Sequence, residues 1–168
     1  DCAVECAAAD PDGWRSMPWQ QRNDILGRVA NEIRAARGDL MGAALADGGK
    51  TLGESDPEVS EAVDFVEFHR DTAKWWQESP ARSVCPKGVV VVVSPWNFPI
   101  AIPCGGVAAA LAAGNTVILK PSSDAVLVAW ELCKCFWRAG VSRSVLQFAP
   151  CSGGQAGRRL VNHSKVDA

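Results

Sequence analysis

The stretch GVVVVVSPWNFPIAIPCGGVAAALAAGNTVILK, residues 88–120, decides how the rest of the 168-residue chain is read. Five consecutive valines, Val89 to Val93, form a bounded β-branched run, the pattern of a strand buried on both faces in a parallel sheet covered by helices. Ser94-Pro95 stops it. Trp96-Asn97-Phe98-Pro99 then lies just past the strand's carboxyl end, the edge where open α/β sheets hold their ligands. Pro99 or Pro103 can open the next helix, because a first-turn amide has no intrahelical partner to lose. That helix, Ile102 to Ala113, is built from small residues. Gly105-Gly106 lets its backbone lie close to a sheet or a nucleotide, at about 1 kcal/mol of helix propensity per glycine. Gly114-Asn115 ends it. Thr116 to Leu119 is a second β-branched strand, which delivers Lys120 and Pro121 to the same edge as Asn97. Strand, crossover helix and strand make one βαβ unit, right-handed by the general rule for such connections.

Composition fixes the class around this unit. A hydrophobic content of 48% with 21% charged residues is that of a globular domain. A net charge of -2 argues against a nucleic-acid platform, which would carry a clustered basic surplus. The most apolar region is broken by Pro95, Asn97, Pro99 and Pro103, so no membrane-spanning run is expected. No basic segment followed by an apolar run opens the sequence, and a cytoplasmic location is expected. The 7 cysteines follow neither a disulfide framework nor a paired zinc spacing, and with His69 and His163 as the only histidines no metal site is expected.

Upstream, Asp1 to Asp12 shows no clear periodicity. Ser16 is placed to cap a helix with Pro18 in its first turn, and Ile25, Val29 and Ile33 line its buried face until Arg34, Arg37 and Gly38 close it. A short helix from Leu40 to Ala46 ends at Asp47-Gly48-Gly49. Gly49-Lys50-Thr51 is not a phosphate loop, since Ala44 stands where that motif needs a glycine. Asp56-Pro57-Glu58 reads as cap, first-turn proline and favourable charge for a long helix with Val59, Val63 and Val66 on its apolar face. Trp75-Trp76 are expected to cover the sheet or a subunit contact. Gln77 to Lys87 is irregular. Downstream of Lys120, Asp124 is placed to cap a helix that buries Val128, Leu132, Cys135 and Phe136 and ends at Ala139-Gly140. Val145 to Phe148 is a third strand, followed by a glycine-rich turn over residues 150–157 and a last helix to about Asn162. Lys165 to Ala168 reads as the approach to a further strand.

PWNFP after a valine-rich strand, followed by AAGNTVILKPS, resembles the cofactor-domain signature of the aldehyde dehydrogenase superfamily. SPWNFPIAIPCGGVAAALAAGN and ELCKCFWRAGV look closest to its proline-catabolic branch, the 1-pyrroline-5-carboxylate dehydrogenases, which oxidise glutamate γ-semialdehyde. The resemblance implies an α/β fold: a Rossmann-like parallel sheet with covering helices, preceded by an all-helical segment. Residues 1–84 would be that segment and 85–168 the start of the cofactor-binding domain, with an incomplete sheet. It implies NAD or NADP as cofactor, a small-molecule aldehyde as substrate, and a homo-oligomer at full length. By the same resemblance, Asn97 donates its amide to the developing oxyanion, Lys120 binds the adenosine ribose hydroxyls, and Ser94, Pro95 and Trp96 line the nicotinamide side. Ser122 and Ser123 follow Lys120. Many members carry a glutamate at the position of Ser123 that repels a 2′-phosphate, so charge here does not exclude NADP. Gly153 and Gly157 belong to the glycine turn beside the cofactor phosphates, although Cys151 replaces the first glycine of a full dinucleotide fingerprint.

The family's nucleophilic cysteine lies downstream of a glycine-glutamine pair, and none of the 7 cysteines has that context. Gly154-Gln155 is followed by Ala156 and Gly157, and Cys104, though near Asn97 in sequence, falls inside the crossover helix. A fragment lacking its nucleophile, inactive alone, is therefore expected, with an unpaired strand edge available for association. The other reading is a non-catalytic nucleotide-binding or assembly module derived from the same family.

Overall fold

The computed structural model describes residues 1–79 and 84–168. The order is α1 (Cys2–Ala9), α2 (Trp19–Ala35), α3 (Arg37–Gly48), α4 (Leu52–Glu78), β1 (Val89–Val93), α5 (Ala101–Ala112), β2 (Thr116–Lys120), α6 (Val126–Arg138), β3 (Leu146–Phe148) and α7 (Gln155–Val161). The three strands form one parallel sheet in the order β1-β2-β3, with Val93 opposite Lys120 and Val117 opposite Leu146. This is the expected α/β architecture. Parallel pairing follows from α5 and α6, each a crossover that returns the chain to the same end of the sheet.

Every residue of β2 is buried, whereas β1 is not covered as the valine run suggested: Val89 is buried, Val90 to Val92 are half-buried and Val93 is 55% exposed. The reason is position. β2 has a strand on either side, while β1 has β2 on one side and, on the other, among the described residues, only the segment 166–168, whose Asp167 and Ala168 bond Val89 and Val91. The large core gathers α2 to α6 against one face of the sheet. Val4 and Ala7 of α1 cover Val89 and Ile118 on the other face, and the Thr116 hydroxyl donates to the Ala7 carbonyl at 3.0 Å. The unpatterned N-terminal stretch is thus a helix, held by tertiary packing rather than by an amphipathic signal.

The glycine pair in α5 acts as anticipated. A Cβ at Gly106 would lie 3.0 Å from a methyl of Val92 in β1, and one at Gly105 would lie 3.2 Å from the Phe65 ring of α4. Asn115 does more than end this helix. Its Oδ1 accepts from the amides of Lys87 and Gly88 at 2.6 and 3.0 Å, and its Nδ2 donates to the Ala110 carbonyl at 3.1 Å, fixing where β1 begins relative to β2.

Several helix boundaries differ from the sequence reading. The Ser16 hydroxyl bonds back to the Gly13 carbonyl, and α2 starts after Pro18 with no side-chain cap. Arg37 and Gly38 open α3 rather than close α2. Helix α4 starts at Leu52, not at Asp56, because Thr51 and Glu54 form a capping box in which the Thr51 amide and hydroxyl both donate to the Glu54 carboxylate, at 2.9 and 2.7 Å. Pro57 therefore sits inside the helix, and Asp56 pairs with Arg37 instead of capping. Trp75 and Trp76, expected to cover the sheet or a subunit contact, are 58% and 38% exposed. In the irregular stretch before β1, residues 80–83 lie outside the described residues.

Candidate functional site

The carboxyl ends of β1 and β2 build the site. The Ser94 amide donates to the Lys120 carbonyl at 3.2 Å, which prolongs the strand pairing by one step and buries Ser94. Pro95 turns the chain outward, and Trp96, Asn97 and Phe98 are exposed before Pro99 re-enters the core. This outward loop is held from beneath. Oε1 of Glu58, a residue of α4 only 2% exposed, accepts from the amides of Ile100 and Ala101 at 2.7 and 3.0 Å. Two of the orphan donors at the start of α5 are thereby satisfied by a carboxylate, which also complements the helix dipole. The Lys50 ammonium pairs with the other Glu58 oxygen and lies 4.5 Å from the centroid of the Phe98 ring. Lys50, Asp47, Trp96, Asn97 and Asp124 line a small cleft of about 40 Å³.

Lys120 lines a different cavity. Its side chain is buried, and its Nζ donates to the Pro121 carbonyl at 2.9 Å, one bond for a group with three donors. Lys120 shares a space of about 230 Å³ with Val93, Gly153, Gly157, Arg158 and Val161. Gly157 makes that space: a Cβ there would lie 3.0 Å from the Ser152 carbonyl oxygen and 3.3 Å from Lys120 Cε. The structure therefore brings Lys120, Gly153 and Gly157 together, and sets Trp96 and Asn97 in the neighbouring cleft. Ser94, Pro95, Ser122 and Ser123 line neither of the two. Ser122 Oγ accepts from the Asp124 amide at 3.4 Å, and Ser123 is exposed.

Three residues of this region carried no functional signal in the sequence. Glu58 reads locally as a first-turn acid of its own helix, and only the fold carries it to the start of α5, 42 residues on. Asp47 reads as part of a turn, yet its Oδ2 accepts from the Val128 amide at 3.0 Å and caps α6 in place of the expected Asp124. Lys50, dismissed with the phosphate-loop motif, is the counterion of Glu58. Cys104 is fully buried and donates to the Ala62 carbonyl at 3.4 Å; desolvation, with Cys135 nearby, raises its thiol pKa far above the ordinary value. A nucleophile needs the opposite.

The family model described as "Aldehyde dehydrogenase family" matches residues 1–168. The chain belongs to the aldehyde dehydrogenase family. The 1-pyrroline-5-carboxylate dehydrogenase of Bacillus cereus (strain ATCC 10987 / NRS 248) is 36% identical over 174 residues, covering 98% of this chain and 34% of that protein. Among solved structures, a 1-pyrroline-5-carboxylate dehydrogenase from Thermus with bound NAD superposes with a TM-score of 0.91 at 33% identity, over 98% of this chain and 34% of the other. Proline utilization A from Corynebacterium freiburgense superposes at 0.88 with 38% identity, over 98% of this chain and 17% of the other. The chain thus spans about a third of the length of the dehydrogenases it matches. Among the described residues no helix is long and apolar enough to cross a membrane.

Proposed function

We propose that this chain supplies the nucleotide-binding edge of an NAD(P)-dependent aldehyde dehydrogenase that oxidises L-glutamate γ-semialdehyde to glutamate in proline degradation. The observation that carries the reading is the cavity in which Lys120, at the tip of a buried parallel strand, faces the glycine turn at residues 153–157. A nucleotide fits this space in two respects: Gly157 leaves open the room a side chain would fill, and the Lys120 ammonium has donors to spare for adjacent ribose hydroxyls. The similarity to the 1-pyrroline-5-carboxylate dehydrogenase of Bacillus cereus supports the substrate, and the NAD bound in the Thermus structure supports the cofactor.

When bound, the nicotinamide accepts a hydride. The chain's own residues do the rest of what is assigned to it. Lys120 orients the adenosine ribose, with Ser122 and Ser123 beside it. Gly153 and Gly157 admit the phosphates, and Ser94, Pro95 and Trp96 flank the nicotinamide side. Asn97 donates its side-chain amide to the oxygen that gains charge as the aldehyde is attacked, a contribution worth about 10²–10³ in turnover for comparable donors. Its exposure and its loop, tethered at Ile100 and Ala101, suit a group that must reach a substrate. The assembled protein is a cytoplasmic homo-oligomer in this reading.

Titration with NAD and NADP, followed by tryptophan fluorescence, tests the nucleotide site. Saturable quenching is expected, weakened about tenfold in Lys120→Ala, the worth of one hydrogen bond to a charged group; no response to either dinucleotide refutes the proposal. In the full-length protein, cofactor reduction with glutamate γ-semialdehyde should exceed that with a short aliphatic aldehyde, and the reverse preference removes the substrate assignment.

A further inference from the structure

Granted the role proposed above for Asn97, we infer that Lys50 is a positioning residue for the same reaction: its ammonium, anchored by Glu58, holds the Phe98 ring and through it sets where the Asn97 amide stands. Asn97 is exposed and makes no hydrogen bond of its own among the described residues, so its orientation rests on the residues beside it. The chain is fixed three residues before it, where the Ser94 amide donates to the Lys120 carbonyl, and three residues after it, where the Ile100 amide donates to Glu58. Between those anchors Trp96 is 64% exposed and Phe98 45%. Of the two, only Phe98 has a charge or ring contact among the described residues, the Lys50 ammonium 4.5 Å from its centroid.

Lys50 is itself held in place from both directions. Gly49, left-handed at φ 64°, ends α3, the Lys50 amide donates to the Ala44 carbonyl at 3.3 Å, and the next residue, Thr51, opens the capping box of α4. Its backbone is therefore fixed between two helix ends. Its side chain is 17% exposed, and its Nζ pairs with Glu58 Oε2, the oxygen that the amides of Ile100 and Ala101 leave free. A cation partly withdrawn from water attracts the face of an aromatic ring more strongly than a solvated one. One carboxylate thus seats the start of α5 with one oxygen and, through Lys50, the loop before it with the other. Lys50 and Asn97 line the same cleft of about 40 Å³, so a displaced Phe98 ring moves the amide next to it. A reacting group misplaced by about 1 Å costs on the order of 10²-fold in rate.

The test is steady-state kinetics of the full-length protein with glutamate γ-semialdehyde and NAD. Lys50→Met, which removes the charge and keeps the length, should lower kcat about tenfold, the scale of one desolvated cation–π contact, and leave the KM for NAD within about twofold. Lys50→Arg, whose guanidinium can both pair with Glu58 and lie on the ring, should restore kcat to within about threefold of the parent. Asn97→Ala is expected to lower kcat about 10²–10³-fold, and adding Lys50→Met to it should cost less than about twofold more, because Lys50 acts through Asn97. A lysine that only stabilises the fold gives the full tenfold loss again, roughly, in that background, and this result overturns the inference. Phe98→Leu, at an exposed ring, repeats the test without touching the Lys50–Glu58 pair: its own loss of kcat should likewise vanish beside Asn97→Ala, and a multiplied loss overturns the inference as well. Parental kcat in Lys50→Met beside a slow Asn97→Ala overturns it and leaves the oxyanion reading in place, whereas parental kcat in Asn97→Ala removes both.

Discussion

Removing the Glu58 carboxylate should unseat the loop that carries Asn97. In Glu58→Ala the amides of Ile100 and Ala101, now bonded at 2.7 and 3.0 Å, lose their acceptor inside a buried region. Each buried donor left without a partner costs about 1–3 kcal/mol. Lys50, whose side chain is 17% exposed, loses its counterion in the same stroke. Breaking a buried pair from one side costs about 3–5 kcal/mol in comparable proteins, and because the two losses overlap, the expected total is about 3–5 kcal/mol. That is a large part of the 5–15 kcal/mol, roughly, by which ordinary domains are stable. Urea unfolding followed by tryptophan fluorescence measures it, with Trp14 as an internal reporter: its buried indole donates to the Leu111 carbonyl at 3.1 Å, at the far end of the same helix. Glu58→Gln keeps a carbonyl oxygen for the two amides and loses only the charge, so it should cost about 1–2 kcal/mol. In both variants the Ile100 and Ala101 amides should exchange with solvent faster, by more in the alanine variant. A Glu58→Ala chain within about 1 kcal/mol of the parent, with an unchanged denaturant slope, would refute the claim that this carboxylate seats α5.

Three further outcomes are expected. Gly157→Ala sets a methyl 3.0 Å from the Ser152 carbonyl oxygen and against Lys120, so it should destabilise the chain by about 1–3 kcal/mol and weaken nucleotide binding, both read in one fluorescence series. Asp47→Ala removes the acceptor for the Val128 amide and should cost about 1 kcal/mol, seen as a lower melting temperature; Asp124→Ala, at an acid with no capping bond, should cost less than half as much. Burial pushes the thiols of Cys133 and Cys135 up to about 12 and about 11 from 9.0, so the folded chain holds protons that the unfolded chain releases. The stability they contribute is fully present below pH 9 and lost as the pH rises through about 11 for Cys135 and about 12 for Cys133, so the urea midpoint should fall across that window, and less steeply in the Cys133→Ala, Cys135→Ala double variant.

What could be read from the sequence was whatever a short window contains. The valine run, the β-branched strand after Gly114-Asn115, the small-residue crossover and the glycine termini are local patterns, and each became the expected element within a few residues. The misplaced boundaries arise where local signals compete. Asp56-Pro57-Glu58 is a good helix start, but Thr51 and Glu54 form a complete capping box five residues earlier, and α4 then carries Pro57 inside it, without the donor owed to Gly53 and with the proline ring against that carbonyl. Helix α1 left no periodic trace because its small residues need only Val4 and Ala7 to seal one face of the sheet.

The site divides along the same line. That Asn97 lies beyond the end of β1 and Lys120 at the end of β2, on one edge of the sheet, follows from strand order alone and agrees with the register Val93 opposite Lys120. Which cavity each side chain enters does not follow, because that depends on what the covering helices bring. Helix α3 delivers Asp47 and the turn after it delivers Lys50 to the Asn97 cleft, while α7 delivers Arg158 to the Lys120 cavity. The two cavities consequently differ in the charged residues that line them: Asp47, Lys50 and Asp124 at the first, Lys120 and Arg158 at the second. In the function proposed, the first cleft is the chemical end of a dinucleotide-dependent site and the second its nucleotide end, and the covering elements supply residues that lie 38 to 50 positions from Asn97 or Lys120 in sequence. Glu58 ties this arrangement together at the Asn97 end, since the same carboxylate fixes the loop and the cation beneath it.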